Sequence, residues 1–202
     1  MNHSSPTRLS FLLLALAAPW LPAAPAVQVT TRVAHPPEMG EVTSYVVTSP
    51  LGAFTFPAPK GWRLELDAPA RQIFLHSPDD TIHLEATFAA ANPALAPDAS
   101  TNALREQVTA RFPKGEILEE FHAYTATLAG HGFDIMWQPF PGVTSVARCA
   151  FLACPGGALE FRLTTSPDKF SAHQALFGAW LTSFTPASES DDTAKPNAMT
   201  RN

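Results

Sequence analysis

Residues 52–66 read GAFTFPAPKGWRLEL, and the reading of this stretch decides the architecture. Apolar and polar residues alternate on both sides of the segment Pro57-Ala58-Pro59-Lys60-Gly61, the period-two pattern of half-buried strands. A proline-rich recognition segment would stay extended and exposed over several turns of polyproline helix. Here only two prolines stand between two strand-like runs. Pro57 ends the first run and Pro59 stiffens the loop. Gly61 takes a turn conformation closed to other residues, and Trp62 packs at the start of the next strand. The stretch reads as the place where a sheet turns back on itself. It points to fold and not to chemistry.

The same alternation extends outward. The runs EVTSYVV, RQIFLHS and TIHLEATFAA carry strand signals and are separated by turn clusters such as Ser49-Pro50-Leu51-Gly52 and Asp67-Ala68-Pro69-Ala70. In the third run Ile82, Leu84, Ala86 and Phe88 face one way, while His83, Glu85 and Thr87 face the other. Two helices interrupt the strands. STNALREQVTARF places Leu104, Val108 and Phe112 on one stripe, with Ser100 or Thr101 as N-cap. SPDKFSAHQALFGAWLTSF has Ser166 as N-cap, Pro167 at the first helical position and Asp168 in the first turn. Its apolar stripe is Phe170, Phe177, Leu181 and Phe184, with Trp180 beside it. So much aromatic surface requires a broad sheet face to pack against. Between the helices lie four more strand-like runs, the last two joined by Pro155-Gly156-Gly157. The expected fold class is α+β: a mainly antiparallel β-sheet packed by helices in an α/β/α-type sandwich.

The ends of the chain bear on compartment. His3 and Arg8 precede the apolar run LSFLLLALAA, followed by PWLP and the small residues AAPAV. This is the pattern of a secretory signal peptide over residues 1–26, cleaved after Ala26. The apolar run is too short for a transmembrane helix, which needs about 20 residues. The expected location is periplasmic or extracellular, with no transmembrane segment in the mature chain. Losing Arg8 takes the formal charge from −5 to −6, which argues against nucleic acid and anionic membranes as partners. Residues 27–41 read as an N-terminal arm, 42–185 as one globular domain and 186–202 as a disordered tail.

The segments YVVTSPLGAFTFPAPKGWRLE, LAGHGFDIMW, VARCAFLACPGGALEFRLTTSPDKF and the helix end LTSF, in this order, resemble the PsbP-like superfamily, particularly its bacterial DcrB-like exported members. The resemblance spans nearly all of 42–185. It implies an antiparallel sheet between helical layers, used as an accessory or binding module outside the cytoplasm. It carries no metal or docking residue to a position in this sequence.

Few residues suggest chemistry. Cys149 and Cys154 are the only cysteines. Five residues apart on one straight strand, they would lie on opposite faces and about 16 Å apart, beyond the reach of a disulfide. Two small buried side chains are favoured over a bridge, which would require Cys154 in a bend, and over a thiol nucleophile. His83 and Glu85 share a strand face and His76 could sit on the neighbouring strand, a weak candidate for a two-histidine, one-carboxylate metal site set against an ordinary solvated face. His131 and Asp134 should point to opposite faces. His173 falls on the stripe of the last helix as a boundary core residue. Asp67, Asp79, Asp80 and Asp134 are loosely spaced carboxylates, and SPDDT reads as a turn, with a calcium site as a remote second reading.

No nucleophile elbow, zinc-protease helix, phosphate loop or S-x-x-K motif is present, and no cofactor is called for. The expectation is a non-catalytic module whose partner is an envelope or secreted protein. The alternatives are a hydrolase-like enzyme using His83, Glu85 or Cys149, and a small-ligand binder with an apolar pocket under the loop 91–100. The sequence indicates no oligomeric state.

Overall fold

The computed structural model describes residues 27–34, 41–57, 59–96 and 99–187. The expected signal peptide, and the tail from residue 188 onward, lie outside the described residues.

Eleven strands and two α-helices occupy the described residues. The strands β1 (Gln28–Ala34), β2 (Val42–Ser49) and β3 (Gly52–Pro57) lead to β4 (Arg63–Asp67), β5 (Gln72–His76) and β6 (His83–Ala90). Helix α1 (Thr101–Arg111) follows, then β7 (Glu116–Tyr124), β8 (Ala129–Phe140), β9 (Val143–Cys154) and β10 (Gly157–Thr165). Helix α2 (Pro167–Ser183) and the short β11 (Thr185–Pro186) come last among the described residues. They build a four-stranded sheet in the order β1-β2-β3-β11 and a seven-stranded sheet in the order β4-β5-β6-β10-β9-β8-β7. Every pairing among them is antiparallel.

The helices begin where their sequences direct. The Ser100 side chain accepts from the Asn102 N–H, capping α1, whose stripe of Leu104, Val108 and Phe112 packs on Phe133, Ile135, Ala147, Cys149 and Phe151 of the large sheet. Ser166 occupies the N-cap of α2 without a side-chain cap bond, and Pro167 opens the helix. On the other face of the large sheet, Phe177, Trp180, Leu181 and Phe184 meet Leu84, Phe88, Leu159 and Phe161, together with Phe54 and Phe56 of the small sheet. Phe184 stacks on Phe56 at 4.8 Å and meets Phe161 edge-on at 5.0 Å. Each such buried ring contributes about 1.5–3 kcal/mol. Phe170, at the start of the stripe, is only half-buried and stands outside this cluster.

Three expectations are corrected. The segment 27–41 is more than an arm: Gln28–Ala34 pairs with β2 along its whole length, and Val27 is buried in the core. The domain also runs past residue 185, because Pro186 pairs with Phe54 and the Ala187 N–H donates to the Ala53 carbonyl. Finally, the sheet does not turn back on itself at Gly61-Trp62. The chain passes there from the small sheet to the large one, and β3 and β4 are not paired. The local chemistry is as expected: Gly61 has φ +79°, the Trp62 N–H donates to the Pro59 carbonyl at 3.1 Å, and Trp62 packs against the core. The sandwich therefore has α1 on one face of the large sheet, and α2 with the small sheet on the other.

Candidate functional site

The large sheet ends at β7, and a charged row with a buried carboxylate at its centre lies beside that edge. Glu119, Asp134 and Arg148 stand side by side on β7, β8 and β9. Asp134 is 1% exposed. Its Oδ1 lies 3.5 Å from Arg148 Nε, and its Oδ2 accepts from Gln174 Nε2 of α2 at 3.5 Å. Burial pushes the Asp134 carboxyl up to about 6, opposed by the Arg148 charge, reinforced by Glu119 and opposed again by the Gln174 hydrogen bond. In the next row Phe121 faces Gly132. A β-carbon on Gly132 would lie 2.2 Å from the Phe121 ring, so the glycine gives that ring its place. The Arg148 guanidinium then stacks on Phe121, 4.1 Å from the ring centroid.

Above this row a groove of about 430 Å³ opens between β7 and α2. One wall is formed by four consecutive residues, Phe121 to Tyr124. The other is formed by Ala175, Gly178, Ala179 and Thr182 of α2. Side chains alternate faces along a strand, so contact with four in succession means that the groove runs along the backbone edge. Arg148 and Gln174 also reach it, while buried Phe177 and Leu181 line it from the core side. Asp134 itself is buried, in contact with Arg148 and Gln174, two of the residues that reach the groove.

Comparison with solved structures identifies the architecture. The solution structure of the cyanobacterial PsbP protein CyanoP from Synechocystis sp. PCC 6803 superposes with a TM-score of 0.50 at 12% identity, covering 85% of this chain and 99% of that one. The fold is the Mog1/PsbP-like α+β fold. Further matches are LpqN, involved in cell envelope biogenesis of Mycobacterium tuberculosis (TM-score 0.41, 14% identity, 79% of this chain and 92% of that one), and the Saccharomyces cerevisiae Ran-binding protein Mog1p (TM-score 0.42, 11% identity, 74% and 84%). No protein-family model and no curated protein sequence matches the chain.

Within this PsbP-like fold the residues singled out from sequence are placed as follows. His76 and His83 are cross-strand neighbours with their Nδ1 atoms 2.9 Å apart. His76 also faces Glu65 at 3.5 Å and Asp80 at 3.8 Å. Glu85 does not join them. It is held by Gln72 at 3.1 Å and by a close ion pair with Arg162. Among the described residues no group of three or more His, Cys, Asp or Glu is arranged to hold a metal ion.

Cys149 and Cys154 are both free. Cys149 packs under α1, and Cys154 lies half-buried against the other core. Burial pushes the Cys149 thiol up to about 12. His83, Glu85 and Cys149 do not converge: Arg162 stands between Glu85 and Cys149, and His83 opposes Thr164 in a different row.

His131 faces His122, their ring centroids 5.7 Å apart, on the side opposite Asp134 and its Gln174 contact. His173 is half-buried with its Nε2 enclosed. SPDDT is a turn: Asp79 Oδ1 accepts from Ser77 Oγ at 2.7 Å and from Thr81 Oγ1 at 3.0 Å, and Asp80 has φ 53°. A cavity of about 400 Å³ does lie beside the 91–100 loop, bounded by Ala94, Leu95, His122 and His131.

The sequence reading missed Arg148, Gln174, Phe121 and the free edge of β7. Of the charged row, the sequence singles out Asp134 alone, as one of four loosely spaced carboxylates.

Proposed function

We propose that the chain is an exported, non-catalytic accessory module, of the DcrB-like branch of the PsbP-like superfamily, that binds a protein of the cell envelope or extracytoplasmic space. The observation that carries this reading is the groove along the unpaired edge of β7. It offers backbone groups, a small-residue helix wall and Phe121 to a partner.

Two further features support the reading. The residues that would have served a hydrolase are engaged structurally: Glu85 by Gln72 and Arg162, His83 by His76, and Cys149 by its burial. The leader-like pattern of residues 1–26 supports export.

The experiment is purification of the tagged full chain from the envelope of its own cells, alongside turnover assays on a panel of ester and amide substrates. The expected result is one protein that copurifies at fixed stoichiometry, with no turnover above background. Reproducible turnover with no copurifying protein would overturn the proposal.

A further inference from the structure

We infer that β7 takes up an extended, basic segment of the partner by strand addition, the segment lying between β7 and α2. This deepens the functional reading above and rests on it. Four observations converge on it.

The first is the sheet order. β7 ends the seven-stranded sheet, so one row of its N–H and C=O groups has no strand beside it among the described residues. Such an edge templates the pairing of another chain. The second is regularity. The one irregularity in the β7–β8 ladder falls between Ile117 and Glu119, where Leu118 is extra and 47% exposed. From Glu119 to Tyr124 the register is unbroken, enough for a partner strand of about five residues.

The third is space. Ala175, Gly178, Ala179 and Thr182 keep the facing wall of α2 low, and a β-carbon at Gly178 would meet nothing within 4 Å. A helix interior otherwise prefers alanine to glycine.

The fourth is charge. β7 reads EILEEFHAY; Glu116 and Glu119 are exposed on it, while Glu120 is turned to the α1 face and pairs there with Arg105. The nearest cation in the groove, Arg148, is committed to Asp134 and to the face of Phe121. An incoming lysine- or arginine-bearing strand is therefore complementary. A second copy of β7 would set glutamates against glutamates, which disfavours self-pairing.

The test uses the full chain and three labelled probes: the peptide Lys-Val-Lys-Val-Lys-Val-Lys, its Glu-for-Lys counterpart, and versions of the first N-methylated on one or the other alternate set of amides. Strand addition predicts that the lysine peptide binds at least about tenfold more tightly than the glutamate peptide. Methylation of one alternate set abolishes binding while methylation of the other is tolerated, because only every second amide faces β7. Hydrogen exchange slows at alternate amides within 119–124. Gly178→Leu, whose β-carbon meets nothing within 4 Å, weakens binding at least about tenfold while leaving the melting temperature unchanged or raised.

Equal binding of both charge types, indifference to N-methylation, unchanged exchange along β7, or full binding by Gly178→Leu would each overturn the inference. The two proposals fail separately. A cellular partner held equally well by wild type and Gly178→Leu refutes strand addition and leaves the binding module standing. Peptide capture on β7 with no cellular partner refutes the module.

Discussion

The ring of Phe121 lies where a side chain on Gly132 would have to be. The two residues face each other across β7 and β8, and a β-carbon at Gly132 would come within 2.2 Å of the ring. This one vacancy sets the edge of the sheet: the ring folds inward, Arg148 stacks on it, and the guanidinium is thereby held beside Asp134.

Gly132→Ala should expel the ring and cost about 1–3 kcal/mol, as overpacking does. Urea unfolding of Gly132→Ala, Phe121→Ala and the double variant measures this. The account expects strong non-additivity, the glycine change costing little once the ring is gone. Additive costs would show that the ring and the glycine are independent.

Asp134 carries a pH dependence with a definite sign. Its folded-state pKa is raised to about 6 from the ordinary 3.8, so between those values the folded protein holds a proton that the unfolded chain has released. Stability therefore falls as the pH rises through this window, by up to about 3 kcal/mol, and levels off above it. Asp79 shifts the opposite way, down to about 2, and its contribution is lost only on further acidification. The difference between wild type and Asp134→Asn isolates the first effect. Relative to the variant, wild type should lose stability from about pH 4 to about pH 6; a flat or rising difference contradicts the burial argument.

The thiols should differ in reactivity. Cys149 is 1% exposed and its thiol is pushed up to about 12, while Cys154 is half-buried with a smaller upward displacement. Iodoacetamide on the native protein should label Cys154 slowly and Cys149 only on unfolding. Intact mass should not change with reductant apart from that labelling. A loss of about 2 Da in the oxidised form, the mass of two hydrogens, would mean a disulfide that opposite faces of one strand do not permit.

Ser77 closes the turn between β5 and β6. Its Oγ accepts from the N–H groups of Thr81 and Ile82, each at 3.1 Å, and donates to Asp79 at 2.7 Å. Ser77→Ala leaves the Ile82 amide without this bond in a buried setting and should cost about 1–3 kcal/mol. Ser77→Thr, which keeps the hydroxyl, should recover most of it. Equal losses in the two variants would assign the effect to packing and not to the hydrogen bonds.

Much of the fold was legible because it is written in local patterns. The alternation in β5 and β6, the cap and stripe of α1, and the aromatic face of α2 each predict their own element, and each element formed. What sequence left out were relationships set by register. Counting outward from the β8–β9 turn, where Phe140 opposes Val143, would place Asp134 opposite Cys149. The irregularity between Trp137 and Phe140 slips the ladder by one residue, and Arg148 arrives there instead.

Gln174 comes from a helix forty residues away in sequence, and nothing local to either residue announces the meeting. The strand Gln28–Ala34 lies at the edge of the small sheet, and its run is short and polar on one face, so its pairing with β2 is not announced locally. The turn at Gly61 was read correctly as a turn. Which sheet the chain then joins depends on pairings far from it.

The most direct test of the binding groove is photo-crosslinking in the cells that make the protein. A benzophenone amino acid would replace Ala179 on the α2 wall in one variant, and Glu65, on the far edge strand of the large sheet, in another. The account predicts a single discrete adduct from position 179 that disappears when Gly178→Leu fills the groove, and none from position 65. Adducts from position 65 alone, or a position 179 adduct indifferent to Gly178→Leu, would contradict it.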